Sequence, residues 1–263
     1  FLATGCANDD STQENGKEDN GKSGEVVATF ESEDSTAETP SSTTRTSLTH
    51  QQGRGATAYW TPRDHIFAQD DNGNYRLSHD ATRKDGSAIK GDKSSADRDA
   101  RFKFMNGTYT KPDRKIRYTG CGNNGTTAYN VTIYNRQTQD KPNDAEHIGT
   151  DGDCGTATAT YVGENENGRR HYSFRLQHQA TYLTFMPYST SSSNMKLTEI
   201  IVQADQPIAG TYDFDDNGLK TNNPTSPSNT ITLKLQESQF PIPDRPSPDK
   251  NAAIIVLAPG YYS

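Results

Sequence analysis

The stretch H-Y-S-F-R-L-Q-H-Q-A-T-Y-L-T-F-M, His171 to Met186, decides the fold class. Tyr172, Phe174 and Leu176 alternate with polar neighbours, and Tyr182 and Phe185 bracket Leu183 in a second short run. Alternation at period two places one set of side chains on one face of an extended chain, the pattern of a half-buried strand. No helical period fits as well. Gln177-His178-Gln179-Ala180 lies between the runs and predicts a turn. The stretch therefore predicts a core hairpin, with His178 hydrogen-bonded inside it. On that reading Leu183→Asp unfolds the domain, because it buries a charge without a partner.

Working outward, runs of the same kind lie on both sides. Before the hairpin they cover residues 25–30, 44–48, 57–60, 64–68, 101–105, 114–119 and 129–134. After it they cover 196–203, 208–214, 229–235 and 252–257. Their β-branched and aromatic residues, broken by Gly and Pro, suit short strands. Residues 78–99 read as a long charged loop. With no clear helix and no fixed repeat, the pattern predicts an all-β antiparallel sandwich with long loops.

Composition narrows the function classes. Only 30% of the 263 residues are apolar, low for a globular domain, and much of the deficit sits at the amino terminus. Residues 7–24 carry Asp9, Asp10, Glu14, Glu18 and Asp19 with almost nothing to bury, which predicts a disordered tether. The expected division is a terminal segment, 1–24, and a β domain, 25–263. The net charge of −7 argues against nucleic acid as a partner. No apolar run is long enough to span a membrane. A Pro259-Gly260 turn follows the last strand, so a closing strand or a second domain is expected after residue 263.

The three cysteines are Cys6, Cys121 and Cys154. Phe1-Leu2-Ala3-Thr4-Gly5-Cys6 resembles the end of a lipoprotein signal peptide cut just before the cysteine, although Leu2 lies one place earlier than usual. This implies lipidation at Cys6 and anchorage in the outer membrane. The acidic residues that follow resemble the surface-export signal of Bacteroidales lipoproteins. Cys121 and Cys154 have neighbouring glycines and can pair in an oxidising location, or remain thiols. No His-Cys constellation suggests catalysis. Asp151-Gly152-Asp153 and the run from Asp213 to Gly218 are similar to calcium loops but lack the spacing and the closing Glu; turn chemistry accounts for both. The histidines show no metal-ligand spacing. Trp60 and the tyrosines suit either a glycan-stacking platform or core packing, and their strand context favours the core. No Ser-His-Asp signature, phosphate loop or carboxylate pair stands out, so neither an enzyme nor a cofactor is expected.

Several segments together resemble the fimbrillin family of Bacteroidales, the subunits and relatives of type V pili. They are Thr44-Arg45-Thr46-Ser47-Leu48; Tyr59-Trp60 with Asp64-His65-Ile66; His147-Ile148-Gly149 with Gly152-Asp153-Cys154-Gly155-Thr156-Ala157; Phe174-Arg175-Leu176-Gln177-His178 with Tyr182-Leu183; Pro207-Ile208-Ala209-Gly210-Thr211-Tyr212; and Ala258-Pro259-Gly260. The resemblance spans roughly residues 25–260 and corresponds to the family's amino-terminal domain. It implies a two-sheet, transthyretin-like sandwich at the cell surface or in a fimbrium. It also implies removal of the first strand by an arginine-specific protease, and its replacement by a strand from another pilin subunit. Arg45 best fits the cleavage position, with Arg54 next; a strand shared with members that never polymerise is the alternative. The alternative function is a non-polymerising surface lipoprotein that binds glycan or a host protein.

Overall fold

The computed structural model describes residues 4–6, 25–32, 47–51, 55–62, 64–165, 168–191, 194–236 and 240–263. The expected tether at 7–24 and the candidate cleavage positions Arg45 and Arg54 lie outside the described residues. The strands at 4–6 and 25–32 are described by their backbone pairing.

In chain order the first strands are β1 (Thr4–Cys6), β2 (Glu25–Ser32), β3 (Ser47–Gln51), β4 (Gly55–Tyr59), β5 (Phe67–Gln69), β6 (Tyr75–Leu77) and β7 (Thr82–Arg83). There follow β8 (Asp99–Phe104), β9 (Asp113–Tyr118), β10 (Asn130–Ile133) and β11 (Arg136–Gln139), then the one-turn helix α1 (Ile148–Asp151). β12 (Gly155–Glu164), β13 (Arg170–His178), β14 (Thr181–Phe185) and β15 (Glu199–Gln203) come next. The chain closes with β16 (Ala209–Asp215), β17 (Gly218–Ser228), β18 (Thr230–Leu235), the short α2 (Pro248–Asn251) and β19 (Ala253–Leu257). This is the all-β sandwich that the period-two runs predict.

The largest sheet has the order β6-β5-β9-β12-β13-β2-β8-β7. Its inner face carries Ile116 and Tyr118 of β9, Tyr172, Phe174 and Leu176 of β13, and Phe102 and Phe104 of β8, all buried in one core. Trp60 enters that core with no exposed surface. It packs edge-on to Phe102 at 4.9 Å and to Tyr118 at 5.7 Å between ring centroids. Trp60 is therefore core rather than a stacking platform. A second core gathers Ile133, Tyr212, Ile231, Leu233 and Phe240 from β10, β16, β18 and the loop before α2.

β19 lies between the two cores. Every residue from Ala253 to Leu257 is buried. Ile254 and Val256 face the first core, whereas Ala253, Ile255 and Leu257 face the second. A strand apolar on both faces is the signature of burial from both sides, and each large side chain contributes about 1.5–3 kcal/mol relative to exposure. One edge of β19 pairs with β14. The other is closed by side chains from β11. Gln139 accepts from the Ile254 amide at 2.7 Å and donates to the Ala252 carbonyl at 3.0 Å. Gln137 accepts from the Val256 amide at 3.1 Å and donates to the Val256 carbonyl at 2.6 Å. A primary amide has the donor and acceptor of a peptide group, so two glutamines take the place of a missing strand.

The hairpin expected at 171–186 does not form. Both runs are strands, but β13 belongs to the large sheet and β14 pairs with β1 and β19. The chain crosses from one layer to the next at Gln179-Ala180. The two-residue link has none of the Gly or Asn that a tight hairpin turn needs for positive φ. Instead the Gln179 amide donates to the Cys154 carbonyl at 2.8 Å, which holds the corner open. Leu183 is half-buried against the second core and opposite Ile255. Leu183→Asp is still expected to unfold the protein, by charge burial in the second core rather than in a hairpin core. A soluble variant with native near-ultraviolet circular dichroism would contradict this.

Candidate functional site

The second strand, β2, follows β1 in the chain and joins the large sheet. It lies inside the large sheet rather than at its edge. On one side it runs antiparallel to β13, with Phe30 opposite Tyr172, Ala28 opposite Phe174 and Val26 opposite Leu176. On the other it runs parallel to β8, from Val27 opposite Asp99 to Ser32 opposite Phe104. β8 has only the two-residue β7 on its far side. Without β2, both β13 and β8 would present a row of unpaired amides and carbonyls across a slot one strand wide. On the core side that slot would be flanked by the apolar residues Tyr172 and Phe174 of β13 and Phe102 and Phe104 of β8.

Cys6 ends β1, which pairs with the edge of β14 in a register that sets Cys6 opposite Tyr182. No disulfide joins Cys121 to Cys154; both are buried thiols. The ladder pairs Gly155 with Tyr118 in antiparallel register, so both cysteines lie beyond the same end of it. After Tyr118 the chain turns at Gly120, whose φ is +84°. A side chain there would meet the Gly149 carbonyl oxygen at 2.6 Å. The Cys121 amide then bonds the Gly149 carbonyl at 2.8 Å. Cys154 packs instead with Val131 and Phe214. Burial, with the neighbouring Asp153 carboxylate, pushes its thiol well above the ordinary value, so it is a poor nucleophile near neutral pH.

The corner between β13 and β14 holds a buried polar cluster that the sequence did not mark. His178 Nδ1 lies 2.8 Å from Asp153 Oδ1. The Tyr182 hydroxyl donates to the same oxygen and lies 3.1 Å from His178 Nδ1. Burial alone would lower the His178 pKa; the Asp153 carboxylate, helped by the field of Asp64, outweighs it and raises it. Among the described residues, Asp153 Oδ2 and His178 Nε2 find no hydrogen-bond partner. The cluster joins the start of β12, the end of β13 and the start of β14, so it ties one layer to the next. Its hydrogen bonds link these three segments inside the fold.

Three carboxylates of the calcium-like runs have protein partners. Asp153 serves the cluster, Asp215 accepts the Asn217 amide at 2.8 Å and pairs with Lys220 at 2.8 Å, and Asp216 pairs with Arg117 at 2.8 Å. No helix among the described residues is long and apolar enough to cross a membrane. No family model, curated protein or solved structure matches the chain.

Proposed function

We propose that this chain is a non-enzymatic surface protein of the fimbrillin type, a subunit, anchor or tip component of a type V pilus assembled by donor-strand addition, brought to the outer membrane by a lipid on Cys6 that a cut at Arg45 would leave with the amino-terminal fragment. One observation carries the reading: β2, the strand just before the arginine-bearing segment, sits between β13 and β8 and closes the large sheet. A cut at Arg45 separates β2 from everything that follows it. A strand from another subunit then meets two backbone edges flanked by apolar core residues, which is what β-augmentation needs: main-chain hydrogen bonds for affinity and alternate side chains for specificity. A strand at the rim of the sheet would leave no such slot.

The test is limited digestion of the folded protein with an arginine-specific protease, followed by electron microscopy. The expected result is a single early cut at Arg45, then fibres or linear oligomers as digested protein accumulates. A cut at Arg45 that appears only after urea unfolding would overturn the maturation step. A clean cut with no association would leave the alternative of a surface lipoprotein that does not polymerise.

A further inference from the structure

We propose that the open edge of β15 is a self-association surface, and that its partner is the same edge of a second copy of this chain, paired antiparallel about Ile201. β15 is the last strand of the order β11-β18-β15, and among the described residues no strand pairs with its other edge. The Leu235 amide donates to the Thr198 carbonyl and the Ala204 amide to the Asn229 carbonyl, both at 2.9 Å, in the register that sets Ile201 opposite Thr232. Successive residues of a strand turn their main-chain groups to opposite sides. Ile200 and Val202 therefore bond β18, and the amides and carbonyls of Glu199, Ile201 and Gln203 point outward. Side chains alternate as well: Ile200 and Val202 pack against the second core, whereas Ile201 is 61% exposed.

Other sheet edges of the molecule are blunted. β17 carries Pro224 and Pro227, with Asn223 and Ser226 at positive φ, so it offers no regular row of donors. On the outer edge of β10 the Asn124 side chain accepts from the Thr132 amide at 2.6 Å and donates to the Thr132 carbonyl at 2.8 Å. β15 has no proline and an unbroken register, and its run Ile200-Ile201-Val202 is β-branched throughout. The sequence of this edge fits a copy of itself. With Ile201 opposite Ile201 on a two-fold axis, Glu199 stands opposite Gln203 and Ile200 opposite Val202, once in each direction. In that register every outward amide and carbonyl of one copy meets its complement on the other. The Gln203 side chain donates to the Glu199 carboxylate of the second copy, and no like charges are opposed. Glu199 is also set opposite Lys234 on its own sheet, so the strip is close to neutral although the chain is acidic. The exposed Ile201 side chains cover each other. Residues 195–197 already pair with 240–242, and the chain bends at Asp205, which limits the ladder to β15 itself. The contact uses neither β2 nor the arginine-bearing segment, and a two-fold closes on itself, so it stands apart from donor-strand addition.

The experiment is sedimentation velocity of the uncut full chain over a range of concentrations up to millimolar protein. We expect a monomer–dimer equilibrium. Ile201→Lys should weaken it at least tenfold without shifting the thermal midpoint, because the side chain lies on the solvent face and two lysines would then be opposed. Ile201→Pro is the second variant: it removes an outward amide that β18 does not use, so it should abolish the dimer and leave the monomer folded. Cross-linking reads the register. In a Cys6→Ser background, mild oxidation should join Ile201→Cys chains into a disulfide dimer, since the two α-carbons of a bonded antiparallel pair lie about 5.5 Å apart. Glu199→Cys should not cross-link, its counterpart being about 14 Å away along the strands. A monomer at millimolar protein, a dimer indifferent to Ile201→Lys, or equal cross-linking at the two positions would overturn the assignment.

Discussion

The double variant Gln137→Leu, Gln139→Leu does not fold. Leucine keeps the bulk of the side chain but removes the glutamine hydrogen bonds to the β19 edge, while the His147 contact to the Ile254 carbonyl remains. The Ile254 amide and the Val256 amide and carbonyl then have no partner, in a strand without access to water. Each orphaned buried group costs about 1–3 kcal/mol, so three cost roughly 3–9 kcal/mol. That range overlaps the whole stability of an ordinary domain, about 5–15 kcal/mol. Gln139→Leu alone orphans one amide, because the Ala252 carbonyl also accepts from the Asn143 amide; a loss of about 1–3 kcal/mol is expected. Urea titration followed by fluorescence measures both, since Trp60 is the single tryptophan and is buried in the first core. A double variant with an unchanged midpoint would show that the glutamines are not what closes the edge.

Asp153→Ala is the second large effect. It leaves His178 buried beside Asp64 and Tyr182 with its main partner gone, and breaking a buried pair from one side costs about 3–5 kcal/mol. Asp153→Asn keeps the size and an oxygen acceptor, so it should cost less. The pH dependence follows from the sign of the shift. His178 in the folded protein titrates above its ordinary value of 6.5. Its favourable pairing is therefore fully present below about pH 6.5 and is lost as pH rises through the folded pKa. The groups facing it are Asp153, Asp64, Tyr182 and the high-pKa thiol of Cys154. Thermal midpoints of the native chain should fall across that alkaline window, and His178→Gln should flatten the fall. A slope unchanged in His178→Gln would remove the cluster from the account.

The period-two runs carried the fold class because apolar alternation is a direct consequence of burying one face of a strand. Residues 129–134, 208–214, 229–235 and 252–257 fold as strands close to where the pattern put them. The elements that escaped notice are those whose burial is polar. β11 reads Arg-Gln-Thr-Gln, with no apolar residue, yet Gln137 and Gln139 are both buried. Their pattern becomes visible only when the naked edge of β19 is known. β17 is long but mostly exposed, with Asn223 and Ser226 at positive φ, and its sequence reads as a loop. The hairpin at 171–186 failed for a related reason. Alternation identifies a strand but not its partner, and the link at 179–180 carried no turn signal to decide between a hairpin and a crossing.

The candidate site was legible only in part. The suspicion that the first strand matters came from family resemblance, and its place between β13 and β8 depends on a pairing 140 or more residues apart in sequence on one side and about 70 on the other. Cys154 was visible as a residue but not as a member of a dry cluster with Val131 and Phe214. Asp153, His178 and Tyr182 were all in view, spread over thirty positions, with no spacing rule to join them.

The most direct test is hydrogen exchange of the β13 and β8 amides before and after arginine-specific cleavage, with a synthetic peptide of residues 25–32 added back. Loss of the amino-terminal fragment should open both edges, so amides of 171–177 and 99–104 that pair with β2 lose protection. The peptide should restore it at both edges together. If those amides stay protected after the fragment has left, or if the peptide protects neither edge, β2 is not an exchangeable strand and the donor-strand account is wrong.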